Sequence, residues 1–217
     1  MFTVFRLVAD MLHLLSFVIL ILKIRNSKNC LGLSVKTQEL YLVVFCTRYL
    51  DLILRFSDQT LYLVVMKLLF IGATAYTIYL MRYEKPYCIS YDAMADDFQH
   101  WQILVPGAFV AALIIHRDFT FYDMLWSFSI WLEAVAIFPQ LRMLAKIKEV
   151  ENLTGNYMAA LGFYRIFYIF NWINRYAVEG FVCWTSVLGG LAQAAVYGDF
   201  LFYYIKSVKD RKIFLPV

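Results

Sequence analysis

The stretch Leu161–Tyr176, LGFYRIFYIFNWINRY, is too apolar for a solvated loop and too poor in Gly and Pro for a chain of turns. On a helix turning about 100° per residue, Tyr164, Tyr168, Asn171 and Arg175 fall within about 60° of one another. Leu161, Ile166, Phe167, Ile169 and Phe170 cover most of what remains. A greasy helix with one stripe of phenol, amide and guanidinium faces a wet cavity inside a membrane bundle. The other segments are read for what shares that cavity.

The chain has 217 residues, 62% of them hydrophobic, and a mean hydropathy of +0.64. Soluble domains run nearer half apolar, so these totals describe an integral membrane protein with little room for anything else. Seven apolar segments can be drawn, at 2–24, 36–56, 60–81, 98–115, 120–142, 153–176 and 180–205. Each approaches the roughly 20 residues that cross a bilayer core. The fourth is the weakest, because Pro106 and Gly107 interrupt it. Strand-like alternation is missing, so the fold class is an all-α bundle of seven transmembrane helices over 1–205, with a basic tail at 206–217.

Met1–Phe2 opens the first segment with no basic stretch before it and no small-residue cleavage site after it. It is expected to be a retained helix rather than a signal peptide. Basic residues set the orientation. The loops at 25–35, 82–97 and 143–152 and the tail carry Arg25, Lys28, Arg82, Lys85, Lys146, Lys148, Lys206, Lys209, Arg211 and Lys212, whereas the opposite loops hold little beyond Arg117. The N-terminus is therefore expected on the lumenal or outer side, and the C-terminus in cytosol. Cys30, Cys46, Cys88 and Cys183 have no ligand spacing, and cytosolic thiols stay reduced, so neither a disulfide nor a metal site is expected.

Helix 1 carries Arg6, Asp10 and His13 on one face, although Arg6 could also snorkel to the interface. Helix 2 carries Arg48, Asp51 and Arg55 on one face. Arg48 and Asp51 could pair at i, i+3, but one Asp cannot neutralise two Arg. Lys67 in helix 3 either pairs or snorkels. Helix 5 aligns Asp123, Trp126, Ile130 and Glu133, then reaches Pro139-Gln140. An unpaired carboxylate at Glu133 would cost several kcal/mol, so it pairs with a base, for which Arg165 is the natural candidate, or keeps its proton. Trp172 flanks the stripe of helix 6 and could anchor at the interface.

Together these place Arg6, Arg48, Arg55 and Arg175 in the lumenal half with His13, Asp51, Asp123, Trp126, Tyr168 and Asn171. Arginines converging in a low-dielectric pocket call for an anion with more than one carboxylate. Asp51, Asp123 and Trp126 suit a cation at the other end. Such a pocket fits a short peptide with a free C-terminus. No nucleophile–base pair or metal cluster accompanies it, so neither catalysis nor a cofactor is expected.

TRYLDL (47–52), WSFSIWLEAVAIFPQL (126–141), YRIFYIFNWINRY (164–176) and the closing LPV resemble the ER lumen protein-retaining receptors, the KDEL receptors, along essentially the whole chain. The resemblance implies a PQ-loop fold akin to SWEET transporters: two three-helix repeats around a linker helix. Pro139-Gln140 would be the repeat signature of the second half, with Thr37-Gln38 in that place in the first. It also implies capture of Lys-Asp-Glu-Leu or His-Asp-Glu-Leu C-termini of escaped ER residents in the acidic Golgi and release in the neutral ER. By position, Arg48 would take the terminal carboxylate, and Arg6 and Arg175 the acidic side chains. Asp51, Asp123 and Trp126 would read the residue four from the end. His13 would sense pH, and Tyr164 and Glu133 would lock the loaded state. Lys206, Lys209, Arg211 and Lys212 would then be bared to the COPI coat, with COPII serving ER exit and membrane lipid around the bundle. Nucleic acid has no part in it. The chain would shuttle through ER, intermediate compartment and cis-Golgi. Arg55, Asp123, Cys183 and Asn174 depart from residues common in that family. Composition alone also admits a transporter of a small zwitterion or organic anion on the same fold, while a seven-helix signalling receptor is disfavoured by the short loops and tail.

Histidine's reference pKa of about 6.5 lies between the two compartments. Asn152-Leu153-Thr154 is a glycosylation sequon placed in cytosol by this orientation. It should stay unmodified in cells, as an unchanged gel mobility after glycosidase treatment would report; a glycan there would invert the topology.

Overall fold

The computed structural model describes residues 3–147 and 152–209, and among these it contains helices and no strand. Helix α1 (Val4–Ser27) starts because the Thr3 side chain accepts a hydrogen bond from the Arg6 backbone N–H (3.1 Å), and it stops at Lys28 in the left-handed region at φ 52°. Ser34 caps α2 (Val35–Arg48) in the same way, accepting from Thr37 N–H. A short α3 (Asp51–Leu54) follows, then α4 (Leu61–Arg82), α5 (His100–Ile114), α6 (Phe121–Val135), α7 (Phe138–Ile147), α8 (Asn152–Glu179) and α9 (Trp184–Lys209). Among the described residues three stretches are long and apolar enough to cross a membrane: Val4–Ser27, Leu61–Arg82 and Phe121–Ile147; α5 is apolar but shorter. This is a helical, multi-pass membrane protein.

Two segments expected to be continuous are broken. The second, drawn at 36–56, ends its helix at Arg48 and restarts at Asp51 after Tyr49 and Leu50. The fifth, drawn at 120–142, pauses at Ala136 and Ile137 between α6 and α7. Pro139 accounts for the second break, since without an N–H it cannot bond the Val135 carbonyl one turn back. Arg48 therefore ends a helix, and Glu133 lies in the last turn before the other interruption.

Packing follows from the burial of the apolar faces. α1 lies along α8, α2 along α4 and α6, and α9 against α6 and α8; α4 also meets α1, and α5 covers α6. Phe17, Phe45 and Phe70 from α1, α2 and α4 share one aromatic cluster. Two glycines let α9 approach closely: a Cβ on Gly189 would stand 2.5 Å from an Ile130 methyl, and one on Gly190 would stand 2.2 Å from the Trp172 ring.

The end carrying the α1–α2 and α4–α5 connections is closed by a polar clasp. Gln140 Oε1 accepts from Ser34 N–H (2.9 Å), its Nε2 donates to the Gly32 carbonyl (2.6 Å), and its own N–H donates to Thr37 Oγ1 (3.0 Å). The buried Asp96 carboxylate accepts from Ser34 Oγ (2.9 Å) and Tyr91 OH (2.7 Å). Asp97 pairs with Arg142 (3.0 Å) and Lys146 (2.8 Å), which hold its carboxyl well below the usual range. Gln140 thus meets the Ser34–Thr37 turn directly.

Cys30 is fully buried at this end, and burial pushes its thiol up to about 11, whereas Cys88 is half-buried. A raised thiol pKa means little thiolate at neutral pH. A water-soluble maleimide should therefore modify Cys88 in the folded protein and Cys30 only after denaturation, as peptide mass mapping would show. Equal rates at the two would contradict this packing.

Candidate functional site

A cavity of about 550 Å³ opens among α1, α2, α4, α6, α8 and α9. Tyr164, Tyr168, Asn171 and Arg175, aligned by periodicity alone, all line it. So do Arg6, His13, Arg48, Asp51, Trp126 and Glu133. Five basic side chains stand in the lining against three acidic ones.

The centre of the site is Glu133, 1% exposed. Its Oε2 lies 2.7 Å from an Arg48 terminal nitrogen and 2.8 Å from one of Arg165, and its Oε1 accepts from Tyr164 OH at 2.7 Å. Of the two fates open to Glu133, pairing is the one adopted, with Arg165 as expected and with Arg48 besides. Tyr164 OH in turn accepts from Arg165 (3.0 Å) and from Gln193 Nε2 (2.9 Å), so one phenol carries one donated and two accepted bonds. Arg48 is steadied further by Ser129, through its hydroxyl (3.1 Å) and its carbonyl (3.0 Å). Three helices meet on this carboxylate, and Gln193 joins α9 to it through Tyr164. Gln193 and Ser129 have no sequence signal beyond being polar in apolar helices; their roles emerge only from the packing.

His13 stacks on Tyr164 with ring centroids 4.1 Å apart and an interplanar angle of 3°. Phe17, Phe45 and Phe70 surround it, and its Nε2 has no hydrogen-bond partner among the described residues. Towards the cavity mouth, Asp10 accepts from Tyr62 OH (3.0 Å) and Tyr168 OH, tying α1 to α4 and α8. Arg6 lies 3.9 Å from that carboxylate. Asn171 accepts from Thr3 Oγ1, which fixes the start of α1 against α8. Arg175 donates through Nε to Glu179 (2.9 Å), and its guanidinium lies 4.8 Å over the Phe181 ring.

The remaining residues fall as follows. Arg48 does not pair with Asp51: the helix ends between them, and Asp51 is held by Lys67, which also donates to Gln59 Oε1 (2.7 Å). Arg55 is exposed over the Tyr122 ring and does not line the cavity, because α3 ends at Leu54 and turns it outward. Asp123 is not in the lining either. It forms a reciprocal box with Thr120 at the start of α6, whose hydroxyl donates to its carboxylate (2.6 Å) and accepts from its N–H (3.2 Å). Of Asp51, Asp123 and Trp126, the first and last line the cavity, with Lys67 on Asp51. Trp172 lines the cavity. Lys206 and Lys209 lie in the last turns of α9, and Arg211 and Lys212 lie outside the described residues.

The geometry is that of a helical membrane bundle with a buried guanidinium–carboxylate cluster at a cavity whose lining holds more basic than acidic side chains. The family model described as ER lumen protein retaining receptor matches residues 29–175. Similar proteins are ER lumen protein-retaining receptor B of Arabidopsis thaliana, 47% identical over 210 residues (96% of each chain), and the ER lumen protein-retaining receptor of Plasmodium falciparum, 46% identical over 217 residues (98% of this chain, 97% of that one). That of Petunia hybrida is 46% identical over 215 residues. The chain belongs to the ER lumen protein-retaining receptor family, the KDEL receptors, which are receptors and not enzymes.

Removing one partner of a buried ion pair costs about 3–5 kcal/mol because the other charge is left bare. Glu133→Gln strands two arginines, whereas Arg165→Gln leaves Arg48 still on Glu133. In thermal unfolding of the purified protein, Glu133→Gln should lower the midpoint clearly further than Arg165→Gln. Equal losses would mean that the carboxylate is not shared.

Proposed function

We propose that this protein captures C-terminal tetrapeptides of the Lys-Asp-Glu-Leu or His-Asp-Glu-Leu type on escaped ER residents in the acidic Golgi and returns them to the ER. The observation that carries this is the cavity in a member of this family, lined together by Arg6, Arg48 and Arg175 and by Asp51 and Trp126. Its volume falls within the roughly 300–1,000 Å³ of small-ligand pockets.

Each arginine already faces an internal acid, so binding proceeds by exchange. Glu133 has two guanidinium partners; when Arg48 turns to the signal's terminal carboxylate, Arg165 keeps Glu133 neutralised. Asp10 is held by two phenols, so Arg6 can leave it for a signal side chain without baring it. At the other end the signal's cation takes Asp51 from Lys67, which retains Gln59. Charge-assisted hydrogen bonds of about 1.5–3 kcal/mol each, less ordering costs, suit a dissociation constant of order micromolar.

A proton gained by His13 adds positive charge to a cluster that already holds Arg48, Arg165, Glu133 and Tyr164, and so favours an anionic ligand in the Golgi. Linkage limits one such group to at most about tenfold in affinity per pH unit. The finer architecture has support in paired contacts. α1 meets α4 as α6 meets α9, α2 meets α4 as α8 meets α9, and α1 meets α8 as α6 meets α2. That pairing suits two three-helix repeats, with α5 as the linker, in a bundle of seven spans. On this reading Lys206, Lys209, Arg211 and Lys212 form the cytosolic COPI-binding tail, COPII serves ER exit, and the N-terminus is lumenal.

Purified protein titrated with a Lys-Asp-Glu-Leu-terminated peptide should bind more tightly near pH 5.5 than near pH 7.5, and the amidated peptide should bind at least about tenfold more weakly. His13→Ala should flatten the pH dependence. Equal binding of the amidated peptide would defeat carboxylate capture.

A further inference from the structure

A second cavity, of about 450 Å³, opens on the outer surface of α8 and α9 beside Arg175. Its walls are Ile169, Ile173 and Tyr176 at helical spacing on α8 and Val187 and Leu191 on α9, closed by Phe181. Ile173, Tyr176 and Leu191 are exposed, so the furrow opens to the bundle's surroundings rather than to its core.

Its one charged lining residue, Arg175, lies at one end. From Arg175 the α8 wall descends six residues to Ile169, about 9 Å at 1.5 Å per residue, and the α9 wall from Trp184 to Leu191 descends about 10 Å. Arg175 commits only Nε, to Glu179; its terminal nitrogens make no hydrogen bond among the described residues. A guanidinium at the rim of a narrow apolar channel complements one phosphate and the first part of the chain beneath it. A protein partner would find a single charged group and a concave strip too narrow for the approximately 800 Å² per side of a stable interface.

We propose that this furrow holds one acyl chain of a glycerophospholipid from the adjoining leaflet, with the phosphate on the Arg175 guanidinium. Trp172, Arg175 and Ser186 line both cavities. A phosphate at the rim therefore draws Arg175 away from the first cavity and competes with an acidic ligand there; only this coupling rests on the signal-binding reading.

The site is tested without any signal peptide, by native mass spectrometry of the full chain released from micelles doped with phosphatidylcholine or, separately, diacylglycerol. Arg175→Gln keeps the channel and removes the charge. Alkylating Cys183, which lies in the channel wall, plugs it in protein that has already folded; Cys46→Ser and Cys88→Ser confine the label. The wild type should retain one phosphatidylcholine per chain, retention should fall about tenfold in Arg175→Gln, and alkylation should abolish it. Diacylglycerol should be retained no better by the wild type than by Arg175→Gln. Equal phosphatidylcholine retention in all three proteins, equal retention of both lipids by the wild type, or a second copy of the chain in place of lipid would overturn the proposal.

Discussion

One carboxylate shared between two guanidinium groups is the constraint around which the bundle is arranged. Buried charge is tolerated only when paired and hydrogen-bonded, and Glu133 satisfies that condition with Arg48 from α2 and Arg165 from α8. Tyr164 and Gln193 complete the set and bring in α9. Helices already packed through their apolar faces are held in register by this polar centre. The packing respects it: α2 and α8 both reach the α6 carboxylate where α2 ends and just before α6 breaks.

The sequence made the stripe on α8 legible because a period of 3.6 in an apolar segment leaves few options for a phenol, an amide and a guanidinium on one side. Glu133 with Arg165 was legible for a similar reason: an acid mid-membrane needs a base, and one stood off the stripe at a suitable height. The partners of Asp51 and Arg48 were not. Their i, i+3 spacing describes a continuous helix, and the interruption at Tyr49 and Leu50 sends one inward to Glu133 and the other to Lys67. Asp123 shows another limit: its box with Thr120 at the start of α6 is visible only in three dimensions.

The two ends of the bundle use polar groups differently. At the Gln140 end, Asp96, Gln140, Ser34 and Tyr91 satisfy one another through short hydrogen bonds and leave the backbone turns fixed. Around the cavity, by contrast, Arg6 stands 3.9 Å from its acid, and Asp51 is held by a flexible lysine. Rigid closure at one end and exchangeable pairing at the other suit a molecule whose business is conducted at a single mouth.

The two glycines on α9 have a mechanical consequence. Gly189 and Gly190 present bare backbone to the Ile130 methyl and to the flat ring of Trp172, so that at this level α9 has no knob seated in a neighbour's hole. The Ile130 methyl and the Trp172 ring sit instead in notches of α9 that a Cβ would fill, so sliding α9 along its axis would bring bulkier positions against both. The seam is keyed by what its two glycines leave out.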